Sequence, residues 1–254
     1  MDAHPPWPLD VSEEAGVRFL HFGSDWVQGA MRIARPWSLE LEYTREMMLP
    51  LLLYPPEWPR RVLLIGLGAG SIVKWLWRHR PLAKLTVVDI DPRIEAFARF
   101  HFKLPDDSVR LRVHVDDGAD FMATTRRRYD LILSDGFDAD ARANHLDSAP
   151  FYAACRNRLA DDGMLCVNLL SRRRDFTRSV GRIRTAFDDQ VMAMPSGDAG
   201  NAICMAWTPD NIAVPPRLCF DELREAARRL KKATALDLSP SLARLERAGR
   251  QTPG

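Results

Sequence analysis

Residues 62–65, the apolar run Val-Leu-Leu-Ile, lead straight into Gly66-Leu67-Gly68-Ala69-Gly70-Ser71 and then into an amphipathic stretch. No other segment restricts the fold as much. A strand, a glycine-rich turn and a helix in that order open a βαβ unit, where glycines let a ligand approach the main chain and let helix pack close on strand. Gly66, Gly68 and Gly70 are therefore candidate ligand-contacting positions, although a tight turn with no ligand shows the same pattern. The next apolar run ends at Val87-Val88-Asp89-Ile90-Asp91, and Asp89 stands 23 positions after Gly66. At that spacing a parallel neighbouring strand presents an acid that accepts hydrogen bonds from both hydroxyls of a ribose.

The alternation continues. Residues 62–65, 85–88, 109–115, 131–133 and 164–169 have the composition of strands, and 71–79, 92–102, 149–159 and 175–187 that of helices. Strands that are apolar on both faces and separated by helices predict a doubly wound α/β domain, a Rossmann-like and mostly parallel sheet covered on both sides. Ahead of it, 17–22 and 26–33 mix β-branched and aromatic residues with Gly23 and Gly29, which predicts a small hairpin-forming β-unit. A linking helix is expected over 39–53, stopped by Pro55-Pro56. Beyond the Val214-Pro215-Pro216 break a basic helix is expected over 220–235. The expected division is a β-unit with its linking helix over 1–54, the catalytic domain over 55–210 and a basic helical extension over 211–254.

Composition removes several function classes. In 254 residues, 36 Lys and Arg face 34 Asp and Glu, for a formal charge of +2, and 46% of residues are hydrophobic. That balance carries no footprint for nucleic acid or a membrane surface, and neither is expected as a partner. The four cysteines are widely spaced and none of the six histidines falls in ligand spacing, so no metal site is expected. The first ten residues lack the basic and apolar segments of a secretory signal, and no apolar run is long enough to span a bilayer. The expected location is the cytoplasm.

Two further strand ends carry acids: Asp116-Asp117-Gly118, and Ser134-Asp135-Gly136-Phe137-Asp138. Four successive strands thus deliver polar or glycine residues to one sheet edge, the edge at which open α/β sheets bind ligands. The glycine loop has no Lys-Ser/Thr ending, and the surrounding acids would repel a pyrophosphate. A cationic nucleoside fits better: Asp89 for the ribose, Asp117 to accept from an adenine amine, and Asp135 to attract a sulfonium.

Val87-Val88-Asp89-Ile90-Asp91, Asp117-Gly118, Tyr129-Asp130-Leu131-Ile132-Leu133-Ser134-Asp135 and Phe151-Tyr152 occur in the order and spacing of the spermidine synthase family of polyamine aminopropyltransferases, which this chain resembles from about residue 20 to residue 207. Pro195-Ser196-Gly197 resembles a late motif of the same family. The resemblance implies an N-terminal β-domain, a Rossmann-like domain, a homo-oligomer (here a homodimer), and transfer of an aminopropyl group from decarboxylated S-adenosylmethionine to a small amine. By position it assigns Asp89 and Gly118 with Asp117 to the nucleoside, Gln28 to the methylthio end of the donor, Asp138 to the acceptor wall and Asp135 to catalysis. Tyr43 is the second catalytic candidate, a tyrosine of the hydrophobic core being the alternative. An alkyl amine with a pKa of about 10 is an ammonium at neutral pH, and a carboxylate beside the nitrogen can take its proton.

Three positions depart from the family pattern. Ala69 stands where the family has an aspartate in the glycine loop, Gly136-Phe137-Asp138-Ala139 replaces Ser-Ser-Asp-Pro, and Arg172-Arg173-Arg174 follows the strand where acids are expected. Two other readings therefore stay open: a methyltransferase using S-adenosylmethionine on an unknown acceptor, and a non-catalytic nucleoside-binding or interaction protein.

Overall fold

A computed structural model describes residues 7–24, 26–138, 142–194, 200–214 and 218–251, with side chains to residue 248. Pro195-Ser196-Gly197 and Pro215-Pro216 lie outside the described residues. The chain opens with an antiparallel meander of β1 (Leu9–Glu14), β2 (Val17–Phe22) and β3 (Val27–Arg32). β2 and β3 form the expected hairpin. β1 is an addition: its sequence LDVSEE carries only Leu9 and Val11 as apolar residues, both on one face, as suits an edge strand.

The single helix expected over 39–53 is two short pieces, α1 (Glu42–Glu46) and a 3-10 turn, Leu49–Leu52. Pro50 explains the break. It has no N–H to offer the carbonyl of Glu46, and its ring crowds that carbonyl. The apolar periodicity still serves burial, since Met47, Met48, Leu49 and Leu52 all lie in the core.

From there the chain builds a seven-stranded sheet. In sequence order its elements are β4 (Arg61–Ile65), α2 (Ser71–His79), β5 (Lys84–Asp89), α3 (Ile94–Phe102), β6 (Leu111–Val115), α4 (Gly118–Thr124), β7 (Tyr129–Ser134), a 3-10 turn (Asn144–Asp147), α5 (Ala149–Asn157), β8 (Leu159–Leu170), α6 (Phe176–Ala186), β9 (Val191–Ala193) and β10 (Asn201–Trp207). The spatial order is β6-β5-β4-β7-β8-β10-β9. The first five strands are parallel, while β10 runs antiparallel to both β8 and β9. This is the doubly wound architecture expected. β6 starts later than expected because the Asp107 carboxylate accepts the N–H groups of Val109 and Arg110, both at 3.1 Å, and turns the chain there. α4, β9 and β10 had no counterpart in the sequence reading.

Apolar clusters cover both sheet faces. One side packs α2 and α3 together with Leu20 and Met31 of the meander and Leu230 and Leu242 of the C-terminal helices. The other packs α4, α5 and α6. The expected basic helix is α7 (Phe220–Thr234), which buries Leu223, Ala227 and Leu230 at one-turn spacing and leaves its basic face to solvent. α8 (Ser239–Gln251) follows it, unanticipated. Among the described residues no helix is long and apolar enough to cross a membrane.

Lys74 of α2 is buried, and its Nζ donates to the Phe102 carbonyl at 2.7 Å. Burial, aided by the nearby charge of Lys103, lowers its pKa to about 7. The unfolded chain therefore binds a proton that the folded protein lacks between about pH 7 and the ordinary lysine value. Denaturant unfolding of the wild type and Lys74→Met across this range should show the wild type gaining stability relative to the variant as pH rises, most of it present above the unfolded pKa and lost as pH falls through 7. A pH-independent difference would exclude a depressed lysine.

Candidate active site

After β4 the chain winds outward through β5 and β6, then crosses back to place β7 on the other side of β4 and β8 beyond it. At this reversal the loops leaving β4 and β7 part and open a crevice, the position at which doubly wound sheets bind ligands. The two loops nearly touch. Asp135 donates its N–H to the Ile65 carbonyl at 2.8 Å, and a Cβ built on Gly66 would lie 2.3 Å from the Asp135 carbonyl oxygen. Gly66 also has φ +92°, so glycine is required both by conformation and by space.

The crevice is a cavity of about 280 Å³. The glycine loop forms one wall, with Gly66, Gly68 and Ala69; Gln28 and Gly29 of β3 form another; and Glu42, Tyr43 and Thr44 of α1 a third. Asp135, Phe137, Asn168 and Asn201 complete it. The meander sits tightly on the loop, because a Cβ on Gly29 would lie 2.6 Å from that of Ala69. Ser71 ties the two together by donating its hydroxyl to the Ala30 carbonyl at 2.9 Å.

Asp135 is the centre of a hydrogen-bond chain. Its Oδ1 accepts from Asn168 Nδ2 at 2.8 Å, and Asn168 Oδ1 accepts in turn from Asn201 Nδ2 at 3.0 Å. The Tyr43 hydroxyl is its other partner. Burial raises the Asp135 pKa to about 7, the two hydrogen bonds opposing it. Neither partner carries a charge, which is why they fail to restore an ordinary carboxylate. Tyr43 is held as a phenol, its pKa pushed well up by burial first and by the charge and hydrogen bond of Asp135 next. It is a cavity residue rather than a purely core tyrosine.

The sequence candidates thus divide into two groups. Gln28, Tyr43, Gly66, Gly68 and Asp135 line the cavity. Asp89 stands behind the loop, its carboxylate accepting from the N–H groups of Leu67 at 2.7 Å and Asp91 at 3.0 Å. Burial raises its pKa while these backbone donors pull it down. Gly70, with φ +65°, is the residue from which α2 starts. Asp117 caps α4 by accepting from Ala119 N–H at 2.7 Å and Asp120 N–H at 3.2 Å. Gly118 lets α4 start against the end of β4, since a Cβ there would meet Ile65 at 2.4 Å and Leu146 at 2.9 Å. Asp138 accepts from Arg142 N–H and Asn144 Nδ2, both at 2.8 Å.

Asn168, Asn201 and Glu42 are among the cavity residues that sequence reasoning missed. For Asn168 a signal existed, a lone amide inside the apolar run Leu165-Cys166-Val167-Asn168-Leu169-Leu170. A second cavity of about 250 Å³ shares Phe137 and Leu170 with the first and is lined by Arg142, Arg173, Arg178 and Arg182 beside Asp147 and Asp175. Of the Arg172 to Arg174 run, all exposed, Arg173 lines this second cavity and pairs with Asp175 at 3.0 Å.

The family model for the spermine/spermidine synthase domain matches residues 41–193. A polyamine aminopropyltransferase of Neisseria meningitidis serogroup A is 35% identical over 238 residues, 94% of this chain and 89% of that protein. That of Chromobacterium violaceum is 31% identical over 246 residues, 97% of this chain and 92% of that protein. A probable spermidine synthase from Corynebacterium glutamicum superposes with a TM-score of 0.71 at 19% identity, covering 88% of this chain and 83% of that one. Human methyltransferase-like protein 13, in complex with SAH, gives a TM-score of 0.64 at 22% identity, covering 84% of this chain and 95% of that one. The last two likenesses concern the fold.

Asn168→Ala removes the donor that holds the Asp135 pKa down. The acidic limb of any activity that needs the carboxylate should move to higher pH, above its wild-type midpoint of about 7. Direct titration of the Asp135 carboxyl by NMR would check the same shift, and an unmoved midpoint would remove Asn168 from the network.

Proposed function

Because the chain belongs to the spermine/spermidine synthase family, we propose that it transfers the aminopropyl group of decarboxylated S-adenosylmethionine to a small amine in polyamine biosynthesis, with Asp135 as the proton acceptor. The observation that carries the residue assignment is Asp135 itself, set at the reversal of the sheet, lining the cavity and raised to about 7. A base with a pKa near working pH combines enough of the deprotonated form with enough driving force to accept a proton.

The reaction is a single displacement. The amine arrives as an ammonium and gives a proton to the Asp135 carboxylate. Its lone pair then forms a bond to the aminopropyl carbon next to sulfur as the carbon–sulfur bond breaks, and the sulfonium leaves as a neutral thioether. Two cations entering the cavity favour the ionised form of Asp135, which lowers its pKa when substrates are bound. The Tyr43 hydroxyl and the Asn168 amide orient the carboxylate throughout, and such fixed alignment supplies much of the rate in a displacement with a good leaving group. Gly66, Gly68 and Ala69 give the donor a stretch of wall with little side-chain bulk, and Gln28 faces the same space from β3. Asp89 is assigned to the ribose, and because it also holds the Leu67 N–H it shapes the loop that receives the donor. Asp117 with Gly118 is assigned to the adenine end and Asp138 to the acceptor side. A cytoplasmic homodimer, implied by the family resemblance, completes the proposal.

Asp135→Asn keeps the shape and the Tyr43 contact but loses the proton acceptor. Turnover should fall by orders of magnitude with donor affinity retained, and kcat/KM of the wild type should decline below about pH 7. Turnover near the wild-type level in the variant would exclude Asp135 as the base. Asp89→Ala should weaken donor binding, measured by calorimetry, by about 1–3 kcal/mol for hydroxyls left unpaired, with a smaller effect on kcat. An unchanged donor affinity would exclude the ribose assignment.

A further inference from the structure

We propose that Glu42 holds a non-reacting primary ammonium of a substrate in the main cavity, and so sets the preference of the site for ligands that carry one. The proposal rests on the aminopropyl-transfer reading. In that reaction both substrates bring charge that takes no part in bond making: the donor has an ammonium at the far end of its aminopropyl chain, and a diamine acceptor keeps one ammonium while the other nitrogen attacks. An ammonium that leaves water for a partly apolar cavity needs an anion beside it. Among the described residues, Asp135 and Glu42 are the two carboxylates that line this cavity. Asp135 is committed to the nitrogen that loses its proton, which leaves Glu42.

The surroundings of Glu42 show why its charge is not used up. Arg244 of α8 places one guanidinium between two carboxylates, with Nη1 at 2.9 Å from Glu42 Oε1 and Nη2 against Glu46 Oε1. One positive charge set against two negative ones leaves a net negative charge on the group. Glu46 has a side chain only 1% exposed and cannot be left without its counter-ion, whereas the Glu42 side chain is 36% exposed and borders the cavity. The excess charge therefore sits on Glu42, next in sequence to Tyr43. Ala69, on the glycine-loop wall, is apolar and offers no competing anion. The C-terminal helix α8 thus takes part in the site from a distance, by fixing the helix that carries both Glu42 and Tyr43.

The test is Glu42→Gln, which preserves length and an acceptor for Arg244 while removing the charge, with Glu42→Asp as the charge-preserving control. Calorimetry compares decarboxylated S-adenosylmethionine with the dimethylsulfonium analogue of methylthioadenosine, which keeps the sulfonium and lacks the ammonium. Steady-state kinetics compares 1,4-diaminobutane with 1-aminobutane. If the donor supplies the ammonium, Glu42→Gln should weaken the decarboxylated donor roughly tenfold or more and leave the dimethylsulfonium analogue unchanged. If the acceptor supplies it, the KM for the diamine should rise by a similar factor and that for the monoamine should not. In either case Glu42→Asp should recover most of the loss. Equal effects on ligands with and without the ammonium, or no effect on any, would overturn the assignment while leaving aminopropyl transfer standing. A wild-type protein that binds and turns over no decarboxylated donor would overturn the functional reading, and this inference with it.

Discussion

The ends of β4 and β7 lie side by side, and the whole site depends on how the chain leaves those two strands. Asp130, at the start of β7, accepts the N–H groups of Arg60 and Arg61 at 2.8 and 2.9 Å and pins the entry of β4. At the exit, the Asp135 N–H bonds to the Ile65 carbonyl at 2.8 Å. The pair is therefore tied at both ends, and the glycine loop and Asp135 are held against each other. Gly66 makes this possible by having no Cβ to strike the Asp135 carbonyl. The glycine-loop wall of the cavity and the Asp135 carboxylate are in this way set by the same contact.

Around that contact the protein buries charge without fully neutralising it. Asp135 is met by a phenol and an amide, so burial dominates and its pKa stays high. A salt bridge to arginine would have produced the opposite shift and left a carboxylate too weak as a base at neutral pH. The Glu42, Glu46 and Arg244 group follows a related logic. One cation serves two anions, and of the two it is Glu42 that borders the cavity. Near-neutral overall charge conceals this arrangement, because the acids that matter are distinguished by surroundings rather than by number.

The parts of the fold that could be read from sequence were those with local causes. α2 was expected over 71–79 and spans Ser71–His79, since a positive-φ glycine starts it and its apolar positions repeat at helical spacing. The parallel strands announce themselves by apolar runs. Residues 39–53 were misread because periodicity showed burial correctly while Pro50, inside the window, forbade the continuous helix. β10 went unrecognised although six of its seven residues are apolar, as the run of 201–207 reads equally as buried helix or strand. α4 is seven residues long, too short for its pattern to register. In the site, Asp135 and Gly66 were found through their place at strand ends. Asn201 and Glu42 were not, since nothing local marks a residue that acts through a neighbour more than thirty or a hundred positions away.

By itself the sequence determined the class of fold, the glycine loop, the edge of the sheet that carries the acids, and the resemblance that pointed to aminopropyl transfer. These follow from periodicity, from the restricted backbone of glycine and proline, and from the order of short motifs, all of which are local along the chain. Only the tertiary structure decided which acids face the cavity and which serve as caps and clamps. Asp117 caps a helix, Asp89 also clamps the loop, and Asp135 stands against Tyr43 and Asn168. A carboxylate has the same identity in each place. Its proton affinity and its freedom to meet a ligand come from desolvation and from donors that the fold brings in from distant segments, and no pattern within a strand or helix records them.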